Sequence, residues 1–329
     1  MAKRILIACD LGEPFKKKLQ EAGFELSLVP SREGLAEALK GIHGLFIGAR
    51  FRFTAELLEQ ADSLEAISFC GVGVGTYVDQ EAATRRGIAV MNAPGVNAVA
   101  VAEYAVSFLL ALRKVLVREN NALKAGMPFR AMNFEIQGMK IGILGMGHVG
   151  SRIAAILHHG FRTPILYASR TRKPQAEEDF GARFVDFRIL LAESDALFLA
   201  LPETEATHGM IGASELAQMK KSALLINVAR PGLVDGHALR EALSSGTIRG
   251  AAFDGYYLSN PYPRVPEEDT FGLLSLPDEC FLCTPHIASR SQQVWDDLFE
   301  RAAQNLIEFF NTGSCTHIVN PGCHHHRRP

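Results

Sequence analysis

Gly145, Gly147 and Gly150 in "GILGMGHVG" have the G-x-G-x-x-G spacing, directly after an apolar run and ahead of a helical one. In that setting each glycine has a physical task. One makes a tight turn, one lets an anion approach the backbone, and one lets helix and strand pack closely. Amides at the helix start, including those of His148 and Val149, would face a pyrophosphate. The second strand of a dinucleotide fold ends about 20 residues further on, in an acid that binds a ribose 2′-hydroxyl. Here "PILYASRTRKP" places Ala168 at that point, followed by Ser169, Arg170, Thr171, Arg172 and Lys173. A carboxylate would repel a 2′-phosphate, whereas a guanidinium with hydroxyls binds it. The loop therefore favours NADP(H), with NAD(H) possible.

Three more chemically capable residues close later apolar runs: Arg230 in "ALLINVAR", Asp254 in "GAAFD" and His286 in "FLCTPH". Ligands of open parallel sheets bind beyond the carboxyl ends of the strands, so the three are expected to converge on one site. Arginine holds a carboxylate bidentately, and histidine exchanges a proton near neutral pH. Singly, Arg230 reads equally well as an ion-pair partner and His286 as a core histidine; as a set they read as a site. In "GARFRFT", Arg50 and Arg52 are two apart in an extended stretch and point the same way. They are expected to grip a second anionic group of a substrate, though two solvated loop arginines would look the same.

The elements that must position these residues follow from alternation. "RILIAC", "FELSLVP", "GLFIGA", "LEAISFC" and "IAVMNAP" are strand-like and separated by amphipathic helical stretches, among them one capped by Ser31 and one by Thr54. This is the pattern of βαβ units and a parallel sheet. One long apolar helix is predicted from Ala100 to Gly126, at a domain junction or subunit contact. A second series then runs from "KIGILGMG" through "PILYAS", "ARFVD", "ALFLALP", "ALLINVA", "GAAFD" and "FLCTPH", before a final amphipathic helix.

Composition narrows the function classes. With 329 residues there is room for about two domains. A net charge of -2 supplies no basic field for nucleic acid. The apolar start is too short for a signal peptide, and the stretch from Ala98 to Leu112 carries Glu103 and is shorter than a membrane span. Six scattered cysteines suggest reduced thiols and a cytoplasmic location. "CFLC" has no second half-site, so no metal centre is expected. The histidines at 324–326 are set aside from fold reasoning.

Taken together, "NVARPGLVDGHALREALSSGTIRGAAFD", "TPHIAS", "GILGMGHVG" and "GVGVGTYVDQEAATRRGIAVMNAPGVNAVAVAE" resemble the D-isomer-specific 2-hydroxyacid dehydrogenases, and the likeness spans nearly the whole chain. The resemblance implies an α/β fold of two Rossmann-like parallel-sheet domains. A cofactor domain (100–288) would be inserted into a flavodoxin-like substrate domain (1–99 and 289–329), with a homodimer formed through the cofactor domains. It implies hydride transfer between NADP(H) or NAD(H) and a small 2-keto acid. Arg230 would orient the substrate, His286 would be the acid/base, and Asp254 would hold the nicotinamide carboxamide. Val72 and Gly73 would offer amides to the substrate carboxylate. Leu201, Pro202 and Thr207 would wall the adenosine side, and Val228 and Ala229 would line the cofactor ahead of Arg230.

Three departures qualify this carry-over. Pro231 follows Arg230 where the family has glycine, fixing φ and removing a donor. The substrate loop lacks the family's acid and is offset by about one residue. The glutamate that pairs with the catalytic histidine about five residues beyond Asp254 is also absent: Ser259 or Asn260 stands there, and Glu267 and Glu268 follow only after three prolines. A cofactor-binding regulatory or interaction protein with weak turnover is therefore the rival reading. An uncharged partner orients an imidazole but does little to stabilise its cation. Reduction is accordingly expected to fade at a more acidic pH than in a Glu-paired relative. Ser259→Glu or Asn260→Glu should carry activity to higher pH, and a pH–rate profile unchanged by both would refute this.

Overall fold

The computed structural model describes residues 2–29, 34–127, 130–257 and 268–326. The chain divides into two compact units, residues 1–96 with 292–329, and residues 97–291.

The first unit holds a five-stranded sheet of β1 (Arg4–Ala8), β2 (Glu25–Leu28), β3 (Gly44–Ile47), β4 (Ala66–Phe69) and β5 (Ala89–Met91). The spatial order is β2-β1-β3-β4-β5, all parallel. The central strands are buried along their whole length, as a sheet covered on both faces requires. Helices α1 (Glu13–Glu21), α2 (Leu35–Ala38), α3 (Ala55–Glu59) and α4 (Gln80–Arg85) connect them. Thr54 is the N-cap residue of α3 without a side-chain cap bond to the backbone. The Asp79 side chain caps α4 by accepting from the Ala82 amide. Ser31 lies outside the described residues.

The second unit carries seven parallel strands: β6 (Ile141–Leu144), β7 (Ile165–Ala168), β8 (Arg183–Phe184), β9 (Ala196–Leu199), β10 (Leu224–Asn227), β11 (Gly250–Asp254) and β12 (Phe281–Thr284). Their order is β12-β11-β10-β9-β6-β7-β8. Chain order reverses between β6 and β9, which makes their carboxyl ends the switch point of a doubly wound sheet. Period-two alternation sorts each strand between two apolar layers. Ala196 and Phe198 of β9 join Ile226 on one face, and Leu197 and Leu199 join Leu225 on the other. The first face is covered by α5 (Ala98–Arg113), which α6 (Leu116–Lys124) follows, and by α7 (His148–Phe161). After α8 (Pro174–Phe180), the second face is covered by α9 (Phe187–Glu193), α10 (Ala213–Gln218) and α11 (Gly236–Ser244).

The single helix expected from Ala100 to Gly126 is in fact two. The break falls at Val115, whose φ is 52°. A β-branched residue in that region is strained by roughly 1–2 kcal/mol. The Val115 side chain is buried, whereas α6 buries no residue, so apolar burial at the break opposes the strain.

The final helix, α12 (Gln292–Thr312), belongs to the first unit and packs on β3 and β4, with the Ser68 hydroxyl donating to the Ala302 carbonyl. The segment after it returns to the β5 edge. There the buried Asn320 side chain accepts from the Val90 amide and donates to the Ile88 carbonyl. Among the described residues no helix is long and apolar enough to cross a membrane.

Candidate functional site

At the switch point, Gly145 follows β6 with a φ of 100°, a conformation that only glycine adopts freely. A Cβ there would lie 2.6 Å from the Ala200 carbonyl oxygen and 3.0 Å from the Leu201 Cβ, so β6 and β9 meet at this turn. At Gly150, one turn into α7, a Cβ would lie 2.1 Å from the Gly145 carbonyl oxygen. Gly147 differs: a Cβ would meet nothing within 4 Å. Two of the glycines thus close the strand–turn–helix, and the third leaves open room above the backbone. Gly147 is the N-cap of α7, and its carbonyl accepts from the Ser151 amide, the first bond of the helix. The amides of His148, Val149 and Gly150 lie ahead of that first bond and have no partner among the described residues. With a helix of 14 residues behind them, these donors fit the phosphates of a dinucleotide.

The basic loop after β7 is less uniformly positive than its sequence. Arg172 is tied to Glu177 by three hydrogen bonds of 2.6–3.0 Å. Glu177 also accepts from the Tyr167 hydroxyl, which in turn accepts from the Lys173 amide. Burial pushes the Tyr167 phenol up, so it stays a donor. Ser169 donates to the Thr171 carbonyl at 2.6 Å and closes the turn. Arg170 and Thr171 are exposed, and the Arg170 guanidinium has no partner among the described residues. A purely positive loop thus becomes a braced turn in which the Arg172 charge is neutralised and the Arg170 guanidinium is left available. Beyond β9, Leu201 and Pro202 begin a loop that Thr207 holds by donating to the Pro202 carbonyl at 2.9 Å.

Arg230, Asp254 and His286 stand at or just past the ends of the neighbouring strands β10, β11 and β12. A Cβ on Gly255 would lie 3.4 Å from the His286 Nδ1 and 3.8 Å from the Pro231 Cδ, so the three strand ends converge. Asp254 is buried, and its carboxylate is satisfied by three donors: the Thr284 hydroxyl at 2.7 Å and the Ile287 and Ala288 amides, each at 2.8 Å. That bonding turns Asp254 into a clamp on the loop carrying His286. Its remaining lone pairs limit what it can offer a carboxamide. His286 itself has a φ of 56°. Its Nδ1 lies 3.2 Å from the Asp254 carbonyl and 3.9 Å from the Asp254 Oδ2. A carbonyl can only accept, so Nδ1 carries a proton and the neutral ring presents its lone pair at Nε2.

Arg230 is exposed and donates to the Ala229 carbonyl at 2.9 Å. Val228 is buried behind it. The residue that sequence reasoning missed is Asn227. It is buried at the end of β10, accepts from the Ala229 amide at 3.0 Å and donates to the Arg230 carbonyl at 2.8 Å. Its signal was available, because Asn bonding to a main chain two residues on is an Asx turn. In "CFLC", burial and the nearby Asp254 push the Cys283 thiol up to about 12, so it stays protonated. Among the described residues no group of three or more His, Cys, Asp or Glu side chains could hold a metal.

The other candidate residues lie in the first unit. Val72 and Gly73 are exposed just after β4, and the Asn92 side chain donates to the Val72 carbonyl at 2.7 Å. Arg50 and Arg52 are exposed after β3 while Phe51 and Phe53 between and beyond them are buried. Arg50 stacks on the Phe51 ring at 5.2 Å. Neither guanidinium has an ion-pair partner among the described residues. Ser259, Asn260 and Glu267 lie outside the described residues; Glu268 is exposed.

Comparison with known proteins gives a consistent result. Residues 106–288 match the family "D-isomer specific 2-hydroxyacid dehydrogenase, NAD binding domain". The chain is 36% identical over 317 residues to the glyoxylate reductase of Thermococcus litoralis, covering 92% of each. It is 36% identical over 302 residues to the glyoxylate/hydroxypyruvate reductase B of Pectobacterium carotovorum, covering 90% of this chain and 91% of that one. Among solved structures it is similar to the NADPH-dependent glyoxylate/hydroxypyruvate reductase of Sinorhizobium meliloti in complex with NADP and malonate. That match has a TM-score of 0.80 and 27% identity, and covers 100% of this chain and 99% of that one.

The contrast between glycines is testable. Gly150→Ala forces a methyl against a backbone oxygen and should destabilise the protein by several kcal/mol, on the order of 3, in urea unfolding. Gly147→Ala has room and an allowed backbone, so stability should change by less than about 0.5 kcal/mol. Its dinucleotide affinity should nevertheless fall. Full affinity in Gly147→Ala would remove this loop from the cofactor site.

Proposed function

The chain belongs to the D-isomer-specific 2-hydroxyacid dehydrogenases, NAD(P)-dependent oxidoreductases of 2-hydroxy acids, and from that membership we propose an NADP(H)-preferring reductase of a small 2-keto acid. Glyoxylate and hydroxypyruvate are the first candidates, because the relatives carry those names. The observation that carries the reading is the convergence of the strand ends that bear Arg230 and His286, beside a histidine tautomer fixed by the Asp254 carbonyl. The dinucleotide, when bound, supplies the hydride. Gly145, Gly147 and Gly150 with the amides of His148 and Val149 hold its phosphates. Ser169, Arg170 and Thr171 take the 2′-phosphate, and Leu201, Pro202, Thr207, Val228 and Ala229 line its course.

Arg230 holds the substrate carboxylate and polarises the keto oxygen, lowering the cost of charge that builds there. His286 delivers a proton from Nε2 to that oxygen while Nδ1–H stays bonded to Asp254. Val72 and Gly73 offer amides to the carboxylate. The residues 1–99 and 289–329 then serve as the substrate domain and 100–288 as the cofactor domain. Leu116, Leu123, Met127 and Met132, each more than 60% exposed on or after α6, support a homodimer through the second unit.

Arg170→Asp should reverse an initial preference for NADPH over NADH, as measured by titration of each cofactor. Equal affinities in the unmodified protein would sink the cofactor choice. Glyoxylate and hydroxypyruvate should be reduced with NADPH, and His286→Ala should lower kcat by at least about 100-fold. A protein that binds NADPH yet reduces no 2-keto acid at any pH would favour the non-catalytic rival. Light scattering on the same preparation should give twice the chain mass, and a monomer would discard the dimer.

Arg50 and Arg52 extend the substrate class to acids with a second anionic group. Replacing both by Ala should raise KM for a dicarboxylic or phosphorylated keto acid and leave KM for glyoxylate unchanged. An unaltered KM for the dianionic substrates would discard that extension.

A further inference from the structure

We propose that Cys9 and Cys70 form a reversible thiol–disulfide site at the carboxyl edge of the first unit's sheet. The register pairs Ala8 with Ile47 and Ile47 with Phe69. The next residues along β1, β3 and β4, Cys9, Gly48 and Cys70, therefore line up across three adjacent strand ends. Between the cysteines stands the residue without a side chain. A Cβ on Gly48 would lie 2.9 Å from the Cys9 Cβ and 3.5 Å from the Cys70 Sγ, so the two cysteines flank the space that the glycine leaves open. The neighbouring Cys70 and burial push the Cys9 thiol pKa far up. Cys9 is half-buried and Cys70 buried. Cys283 and Cys315 face oxygen acceptors instead.

Spacing decides what closure would do. Strands that flank a common neighbour run about 9–10 Å apart, whereas a disulfide holds its Cα atoms within about 7 Å. Forming the bond must therefore draw the ends of β1 and β4 together by roughly 2–3 Å over Gly48. A bond made against such resistance is easily reduced, which suits a switch better than a structural staple. The displacement falls on Cys70 to Gly73, held by the Cys70 amide on the Ile47 carbonyl at 2.9 Å and the Ala93 amide on the Gly71 carbonyl at 2.8 Å. The consequence for turnover rests on the reading of Val72 and Gly73 as the carboxylate-receiving loop. With hydrogen peroxide as oxidant, the O–O bond breaks and the two thiols lose two electrons and two protons. One S–S bond forms and two waters leave.

The test treats the full chain with hydrogen peroxide, maps cysteine linkage by mass spectrometry of a non-reducing digest, and measures KM for glyoxylate before and after. A Cys9–Cys70 linked peptide is expected, with KM raised several-fold and restored by dithiothreitol. Cys9→Ser should start with an ordinary KM and keep it through the peroxide treatment. Gly48→Ala, which sets a methyl against the Cys9 Cβ and the Cys70 sulfur, should slow linkage while leaving both thiols in place. Absence of the linked peptide, or an equal KM rise in treated Cys9→Ser, would overturn the proposal. A linked protein with unchanged KM would leave the thiol site standing and overturn the reading of the Val72–Gly73 loop.

Discussion

The geometry at the ends of β10, β11 and β12 depends on one buried carboxylate. Asp254 gathers the hydroxyl of the last β12 residue and two amides from the turn that follows, and its own carbonyl fixes the imidazole of His286. Each hydrogen bond to a charged acceptor contributes about 1.5–3 kcal/mol, and removing the acceptor would leave buried amides unpaired. That stabilisation exceeds the roughly 1–2 kcal/mol cost of holding His286 at a positive φ. The strained residue and the residue that restrains it are the two chemically capable groups of neighbouring strands. Strain of this kind persists only where surrounding bonds over-determine it, and here those bonds can be named.

A second constraint acts at β6 and β9. Close approach is forced at Gly145 and Gly150 by backbone oxygens, while Gly147 faces open space. The three glycines are alike in sequence but not in physical role. Two make the turn geometrically possible, and the third keeps its outer surface clear. The unpaired amides of α7 gain from both, because the turn aims them and the clearance exposes them.

Much of this was legible in the residues themselves. Alternating apolar runs and amphipathic helices made two parallel sheets readable, since period two and period 3.6 are local properties. Strand-end positions of Arg230, Asp254 and His286 were readable for the same reason. Interactions between side chains far apart in sequence, or along unusual backbone, were not. Val115 breaks a helix because its side chain finds a buried site, which no local propensity encodes. The Asp254 clamp joins residues about 30 apart, and the placement of Cys9 and Cys70 on two strands depends on a glycine on a third between them. Asn227 was a lesser omission, because an Asx turn is local and its residue type announces it.

The basic loop after β7 shows why charge alone is a poor guide to role. Arg172 is largely exposed, so its ion pair with Glu177 contributes little by itself. Its effect is geometric. Glu177 is only 20% exposed and also receives the Tyr167 hydroxyl, which anchors the Lys173 amide. The pair therefore braces the far end of the turn, and Ser169 closes the near end. Arg170 lies between these braces with its guanidinium unengaged. A cation on a rigid turn loses less freedom on meeting a phosphate than one on a flexible loop, so more of the interaction remains as affinity. The acid that does appear in this region, Glu177, removes the charge of one arginine and in doing so fixes the position of the other.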